Sequence, residues 1–317
     1  MIHAPSEFEV GEANLSDAPL LAEIMERSDK FFNPEALPVG VIEAEEILTG
    51  YVDSIVARKI IHASNQNVLS FVTVHPDPSR KRIYADSWHS QLNDSALQIA
   101  LENFSVQLTV ELAQSLHPDF DLWVGANALD QGYISQLRAH GFELLRTYWG
   151  LRGPINSQQY PHLENHLEMR VVKNEEDMKM WWQVHQDSFS NHFGFTPRAF
   201  EEWKSMMDKA VGIDLNARWI LMDHDEPVGF IECTDIKKDL NSGFIDGIGV
   251  IHQAQGRGYG ELMLRWAFAY YAALGRQFVE LNADAGNESG ALRLYEKVGM
   301  KPKHTWQHFK NNDWARI

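Results

Sequence analysis

A glycine-rich turn, Gln255-Gly256-Arg257-Gly258-Tyr259-Gly260, lies between an apolar segment and a second, longer one. The upstream segment, residues 243–250, predicts a buried strand, and the downstream segment, residues 261–274, carries only two formal charges and predicts a buried helix. Gly275 then stands where a helix commonly ends. Glycines let the backbone approach a ligand closely, and unpaired N–H groups at a helix start attract anions. The junction therefore predicts a phosphate-binding site.

The turn fits the pattern Q/R-x-x-G-x-G/A and lacks the lysine of a P-loop. It resembles the pyrophosphate loop of the GNAT superfamily of acyl-CoA-dependent N-acyltransferases. A second segment, N-E-S-G-A-L-R-L-Y-E-K-V-G-M at 287–300, resembles the helix of that family that an Asn opens and Gly-Phe ends. Asn287 and Tyr295 are eight residues apart, one more than is commonest in the family, and Met300 replaces the usual Phe.

The resemblance implies an α/β (α+β) fold in which a mixed, mostly antiparallel twisted sheet is flanked by helices. It also implies that acetyl-CoA is the co-substrate, with its pantetheine arm paired to the end of the fourth strand and its pyrophosphate on the glycine turn. The residues that this predicts for cofactor binding are Ile248, Gly249, Val250, Gln255, Gly256, Arg257, Gly258, Tyr259, Gly260, Asn287 and Tyr295.

The catalytic groups follow from the same resemblance. The acetyl group is expected to pass directly to an amine without an acyl-enzyme, and Tyr295 is expected to protonate the departing thiolate. Many family members place a glutamate base eleven residues before the loop, where this chain has Phe244. Asp246, two residues on and on the same side of the strand, is the first candidate base, and Glu232 on the preceding strand is the second.

The chain shows self-similarity at an offset of 160 residues, which indicates that the fold occurs twice. Asn14 corresponds to Asn174, Asp86 to Asp246, and Asn127 to Asn287. The predicted organisation is a first GNAT-like domain at 1–153, a linker rich in turn residues at 154–166, and a second GNAT domain at 167–317. This tandem arrangement is similar to acetyltransferases of the mycothiol synthase type.

The first copy lacks the residues that would bind the cofactor. The positions of Gln255, Gly258 and Gly260 hold Ser95, Gln98 and Ala100, and the position of Tyr295 holds Leu137, as read from the two aligned copies. We therefore expect a degenerate first domain and an active second one. A covalently joined pair could reproduce a homodimer interface within one chain, so we expect a monomer.

Composition limits the remaining possibilities. A net charge of −16 disfavours a nucleic-acid partner and is compatible with a cationic substrate. No basic N-terminal segment and no apolar run of membrane-spanning length is visible, and the single cysteine, Cys233, fits a reducing cytoplasm. The scattered histidines show no ligand spacing, so no metal is expected.

Three functions remain open at this point. The first is acetylation of a small-molecule primary amine, the second is acetylation of a protein or peptide amine, and the third is a sensor that binds acyl-CoA without turnover, which the missing glutamate motivates. Two aromatic, histidine-bearing segments, residues 187–197 and 303–308, are the candidates for the acceptor pocket.

Overall fold

The computed structural model describes residues 4–49, 55–156, 159–207, 213–286 and 291–316. The chain forms two compact units. One comprises Met1–Tyr148 together with Lys303–Ile317, and the other comprises Trp149–Pro302. Each unit has its own buried core.

The first unit is a sheet flanked by helices, and its described elements follow in chain order. They are β1 (Phe8–Glu12), α1 (Ala18–Phe32), α2 (Val41–Thr49), β2 (Val56–His62), β3 (Val68–Asp77), β4 (Arg82–His89), α3 (Ser95–Leu116), β5 (Asp121–Asn127), α4 (Gln131–Ala139) and the start of β6 (Glu143–Pro154). The strands β1, β2, β3, β4 and β5 are neighbours in that order. All these pairs are antiparallel except β4 with β5, which is parallel.

The second unit repeats this order. Its described elements are β7 (Leu167–Val171), α5 (Glu175–Phe189), α6 (Phe200–Met207), β8 (Ile213–Asp223), β9 (Glu226–Thr234), β10 (Ser242–Val250), α7 (Tyr259–Ala273), β11 (Phe278–Asp284), α8 (Ala291–Lys297) and the start of β12 (Lys301–Lys310). Again the fourth and fifth strands, β10 and β11, are the parallel pair. The predicted fold, a tandem of mixed and mostly antiparallel sheets flanked by helices, is confirmed.

Part of the last strand of each copy lies in the other unit. The segment of β6 from Trp149 onward neighbours β11, while Trp306–Lys310 of β12 pairs antiparallel with Trp123–Asn127 of β5. The ranges 1–153 and 167–317, which keep each strand with its own copy, stay a prediction of the repeat, while the compact units divide at Tyr148/Trp149 and Pro302/Lys303. Side chains fix the exchange, because Arg152 reaches Glu280 at 3.6 Å and its guanidinium stacks on Phe278.

Helix α7 confirms the prediction of a buried helix after the glycine turn. It begins at Tyr259, and Gly275 just beyond its end has a φ of +76°, a left-handed conformation that favours glycine. Its apolar side chains pack on β9, β10 and β11. Tyr271 fixes it to the sheet, because its hydroxyl donates to the Phe244 carbonyl at 2.6 Å. The position of Gly243 leaves room for that ring, since a Cβ there would lie 2.3 Å from it.

Candidate active site

The parallel strands β10 and β11 separate halfway along their length. They are paired from Ser242↔Phe278 to Ile245↔Leu281, and the register ends there. At the same point β10 carries a bulge against β9: Ile245 lies opposite Cys233 and Gly247 lies opposite Glu232, so Asp246 is the extra residue. Because a bulge bends its strand, the second half of β10 diverges from β11 and opens a cleft between them.

Ile248, Gly249 and Val250, predicted to bind the pantetheine arm, form the end of β10 beside this cleft and stay paired with β9. Helix α5 packs tightly on one face of this segment. A Cβ on Gly249 would lie 2.5 Å from Phe230 and 2.7 Å from Ser188, so the close approach of α5 requires glycine here. The edge of this segment toward β11 is the unpaired edge, because the β10–β11 register ends at Ile245.

The predicted pyrophosphate loop follows directly and ends on the first turn of α7. Gly256 and Gly258 have φ of +79° and +84°, and no heavy atom lies within 4 Å of where a Cβ would be built on either. Gly258 is the N-cap of α7, and no side chain caps its N–H groups. The loop is thus an unobstructed cradle with free N–H donors at a helix N-terminus, which fits a pyrophosphate.

Contacts within the loop hold it in place. The Gln255 amide donates to the Val250 carbonyl at 3.2 Å, which ties the loop to the end of β10. Tyr259 donates its hydroxyl to Asp223 at 2.6 Å, and the exposed Arg257 pairs with the same carboxylate at 3.4 Å. Gly260 lies against Leu294 of α8, which brings the helix that carries Tyr295 beside the loop.

Tyr295 is buried, with 8% of its surface exposed, in the core shared by α7 and β11. Desolvation raises the pKa of its phenol to about 12, so the group is protonated at neutral pH. Asn287, predicted as a further cofactor contact, lies outside the described residues.

The two candidate bases differ in surroundings. Glu232 is buried, with 3% exposed, and accepts a hydrogen bond from Arg218 at 2.5 Å. Arg218 itself is 1% exposed, and its guanidinium carbon lies 5.8 Å from the ring centroids of both Trp181 and Trp203, which stack on each other. Burial raises the pKa of Glu232, the Arg218 charge opposes this, and the charge of Asp246 adds to it. Glu232 is thus one half of a buried ion pair.

Asp246 is open to solvent at the bulge, yet the protein around it still raises its pKa by desolvation, and Arg218 opposes that shift. A carboxylate that reaches water while surrounded by protein is typical of a cleft. Phe244, at the usual position of the glutamate, is a buried apolar residue and offers no base. Asp246 is therefore the accessible carboxylate of the two, and Glu232 is the enclosed one.

The two predicted acceptor segments lie in different units. Residues 187–197 include the end of α5 and the segment that follows it in the second unit. Their aromatic side chains form a cluster in which Phe189 contacts both Phe230 and His192. His192 is exposed. Desolvation lowers its pKa, and the charge of Asp284 opposes part of this shift. Residues 303–308 belong to the first unit, on the β12 segment that includes the pairing with β5. His308 there is largely enclosed, and desolvation lowers its pKa to about 4.

The corresponding site in the first unit is closed. Helix α3 has Asp94 as its N-cap, and this carboxylate accepts from the N–H groups of Ala96 and Leu97 at 2.9 and 3.1 Å. The carboxylate occupies donors that a phosphate would need and adds a negative charge there. Sequence reasoning found the missing glycines but not this cap, although Asp before an apolar helix is a recognised N-cap signal.

Residues that sequence reasoning missed also surround the second-unit site. Arg218 and Asp223 were not singled out, because a lone charged residue on a strand gives no pattern. Among the described residues, one group of three His and Asp side chains has the proximity that a metal ion needs: His166, Asp223 and His224.

Comparisons with known proteins agree with this geometry. Residues 178–300 match the family model described as Acetyltransferase (GNAT) family, so this part of the chain is similar to that family. No curated protein matches by sequence. Within the described residues, we found no helix with the length and apolar character that crossing a bilayer requires.

Solved structures resemble the chain over nearly its whole length. A GCN5-related N-acetyltransferase from Sphaerobacter thermophilus has a TM-score of 0.79 at 19% identity, covering 98% of this chain and 96% of that one. A tandem GNAT protein from the clavulanic acid biosynthesis pathway has a TM-score of 0.67 at 13% identity, covering 96% and 98%. A GNAT-family acetyltransferase from Colwellia psychrerythraea has a TM-score of 0.59 at 13% identity, covering 96% and 99%. At these identities the likeness establishes the fold, and with the family match it supports an acyltransferase.

Proposed function

We propose that the GNAT-family domain in the second unit transfers an acetyl group from acetyl-CoA directly to the primary amine of a small molecule. The observation that carries this proposal is the uncapped glycine loop at the start of α7, lying next to the divergence of β10 from β11. Together they provide an anion cradle and an adjoining cleft, which an acyl-CoA needs. The first unit lacks the open cradle, because Asp94 caps the N-terminus of α3.

The cofactor would be held mainly by backbone groups. Gly256, Gly258 and Gly260 would offer N–H donors to the pyrophosphate, and Arg257, exposed at the same loop, would add a charge-assisted contact. At the end of β10, the N–H of Val250 or its neighbour would hold the thioester carbonyl. That hydrogen bond strengthens as negative charge develops on the oxygen, which stabilises the transition state.

Asp246 would serve as the general base, directly or through a water. A base must reach the ammonium of the acceptor, and Asp246 is the cleft carboxylate that solvent reaches. Its raised pKa makes it a better proton acceptor than an ordinary aspartate. Glu232, enclosed against Arg218, would set the charge around Asp246, and the pair of carboxylates favours a cationic acceptor.

Tyr295 would donate a hydrogen bond to the thiolate as it departs. A phenol with a pKa of about 12 is a weaker acid than a thiol with a pKa of about 8.5, so complete proton transfer would be uphill by roughly 5 kcal/mol in this environment. Hydrogen bonding to the developing charge needs no such transfer. Tyr295 would therefore stabilise the departing thiolate by hydrogen bonding. The proton that finally neutralises this thiolate would come from the acceptor amine.

A sensor that binds acyl-CoA without turnover is the second candidate, because the buried Phe244 stands where many relatives carry their base. The resemblance to mycothiol synthase stays a prediction, and Phe244 argues against the same acceptor. A monomeric state and a cytoplasmic location also stay predictions; Cys233 is fully buried in the core, which fits a packing role.

Calorimetric titration with acetyl-CoA tests the cofactor site, and the chain offers a matched pair of variants. Gly258 and Gly275 both have left-handed φ and open surroundings, one at each end of α7. Valine at either position should cause a similar conformational strain, but only Gly258→Val places a side chain in the loop. We expect one site per chain in the wild type and in Gly275→Val, and its loss in Gly258→Val.

Turnover is tested separately by release of free CoA thiol with a panel of small amines and peptides. Thiol release with a simple amine supports the proposal, release with peptides alone selects a protein substrate, and tight binding without release selects the sensor. Absence of acetyl-CoA binding in the wild type would reject all three.

A further inference from the structure

Three potential metal ligands converge at one end of the β7–β8 pair in the second unit. His166 precedes β7, Asp223 ends β8, and His224 begins the turn to β9. One ligand atom from each lies within 4.8 Å of the others. His224 Nδ1 is 2.7 Å from Asp223 Oδ1, and His166 Nε2 is 3.8 Å from the same oxygen.

The backbone brings these residues together. Leu167 is paired with Asp223, and the ladder continues one step further because the His224 N–H donates to the His166 carbonyl at 2.9 Å. The two histidines are therefore cross-strand neighbours, and their rings stack with centroids 4.7 Å apart. His224 has a φ of +48° in the tight turn before β9. The register of the sheet, and not proximity in sequence, places the three ligands.

Outer contacts hold one ligand, Asp223, and a carboxylate lies near a second, His166, at a distance beyond that of a hydrogen bond. Tyr259 donates to Asp223 Oδ2 at 2.6 Å and Arg257 pairs with that same oxygen, which leaves Oδ1 toward the histidines. His166 Nδ1 lies 3.6 Å from a carboxylate oxygen of Glu164, on the side of the ring opposite Nε2. A carboxylate behind a ligating histidine is the usual outer partner in metal sites, where it fixes the ring and makes it a stronger ligand.

We propose that His166, Asp223 and His224 form a binding site for a divalent transition-metal ion of the Zn²⁺ class. Two imidazole nitrogens and one carboxylate oxygen are a ligand set that suits Zn²⁺, with water completing the coordination. Tetrahedral ligand bonds of about 2.0–2.2 Å place the ligand atoms roughly 3.4 Å apart. The hydrogen-bonded pair His224 Nδ1 and Asp223 Oδ1, 2.7 Å apart, must therefore separate by roughly 0.7 Å, and the widest pair of the cluster, within 4.8 Å, must close by no more than roughly 1.4 Å. The His224 side chain is 78% exposed, which leaves an entry path from solvent.

The site takes no part in the chemistry of acetyl transfer, but it adjoins the loop that is proposed to bind the cofactor. An ion there would clamp the segment before β7 to the β8–β9 turn and would hold Asp223, the residue that contacts the phosphate loop through Tyr259 and Arg257. Metal binding at these three residues departs from the expectation, drawn from the histidine spacing, that the chain binds no metal. It does not depend on the proposed enzymatic function.

Titration of chelator-treated, dialysed protein with ZnCl₂ by calorimetry tests the proposal. We expect one site per chain, and since loss of an outer partner alone lowers metal affinity about 10–100-fold, loss of a ligand in His224→Ala or His166→Ala should lower it by at least about 100-fold. His162→Ala is the matched control, because His162 is an exposed histidine in the same segment. That variant should bind as the wild type does.

Either of two results would overturn the site: no binding by the wild type at millimolar ZnCl₂, or wild-type affinity retained in both His166→Ala and His224→Ala. Circular dichroism of each variant shows whether it is folded, and His224, exposed in a turn, is the substitution that is safest for folding. Acetyl-CoA titration of the same samples reports on the proposed function independently, so failure of one does not imply failure of the other.

Discussion

Replacing Glu232 with glutamine separates the two candidate bases. The amide keeps the size of the side chain, and its carbonyl oxygen can still accept from Arg218, but one negative charge of the buried cluster is lost. Arg218 then acts on Asp246 without a competing carboxylate. The charge of Asp246 raises the pKa of Glu232, and Arg218 lowers the pKa of both carboxyl groups. Because the interaction between two charges is reciprocal, the pKa of Asp246 should fall in this variant.

The size of the effect follows from the charges involved. Removal of a neighbouring like charge that acts beside an opposite one lowers a carboxyl pKa by about 1 unit, equivalent to roughly 1.4 kcal/mol. A base works in its deprotonated form, so the acid limb of kcat/KM against pH should move to lower pH by about 1 unit. The plateau should fall less than about 10-fold, because the weaker base is still present.

The assay is thiol release from acetyl-CoA between pH 5.5 and 9 with the best amine of the panel. Thermal unfolding is measured on the same samples, because weakening a buried ion pair can cost about 3–5 kcal/mol of stability. Glu168→Gln removes the same formal charge at an exposed position and controls for net charge. A loss of 10²-fold or more at every pH in folded Glu232→Gln would refute the reasoning and identify Glu232 as the base.

Three further predictions use single substitutions. Asp246→Asn should lower kcat by about 10²–10⁴ at every pH with the Kd of acetyl-CoA retained, and near-normal turnover would remove Asp246 from the mechanism. Tyr295→Phe should lower turnover by roughly 10² or more with little change in acetyl-CoA affinity, measured by thiol release and calorimetry; unchanged kcat would leave Tyr295 a packing residue. His89 is 1% exposed and desolvation lowers its pKa to about 3, so the unfolded chain takes up its proton first as pH falls below 6.5. The wild type should therefore lose about 2 kcal/mol more between pH 7 and pH 5 than His89→Asn in urea unfolding, and an equal loss in both would contradict this.

The sequence predicted the features of the site that depend on local backbone chemistry. The turn from Gln255 to Gly260 needed only glycines at particular positions before an apolar helix, and the structure has left-handed φ at Gly256 and Gly258 where that helix starts. The repeat at an offset of 160 residues predicted the tandem fold, because each copy carries the same order of strands and helices. Acetyl-CoA binding at the loop stays a prediction.

Contacts between distant segments could not be predicted in this way. The exchange of β6 and β12 between units is invisible to sequence similarity, since each strand looks like the end of its own copy. Arg218 meets Glu232 only because β8 and β9 pair in a particular register, and a bulge at Asp246 then separates the open carboxylate from the enclosed one. Register is set by the packing of whole faces of a sheet, which a single strand does not encode.

The sequence alone therefore determined the fold class, its duplication and the position of the anion cradle, because these depend on residue types at fixed short spacings. Only the tertiary structure decided which carboxylate reaches solvent, which unit each terminal strand completes, and that His166, Asp223 and His224 meet. Those outcomes depend on strand register and burial, and both arise when segments far apart in the chain pack together.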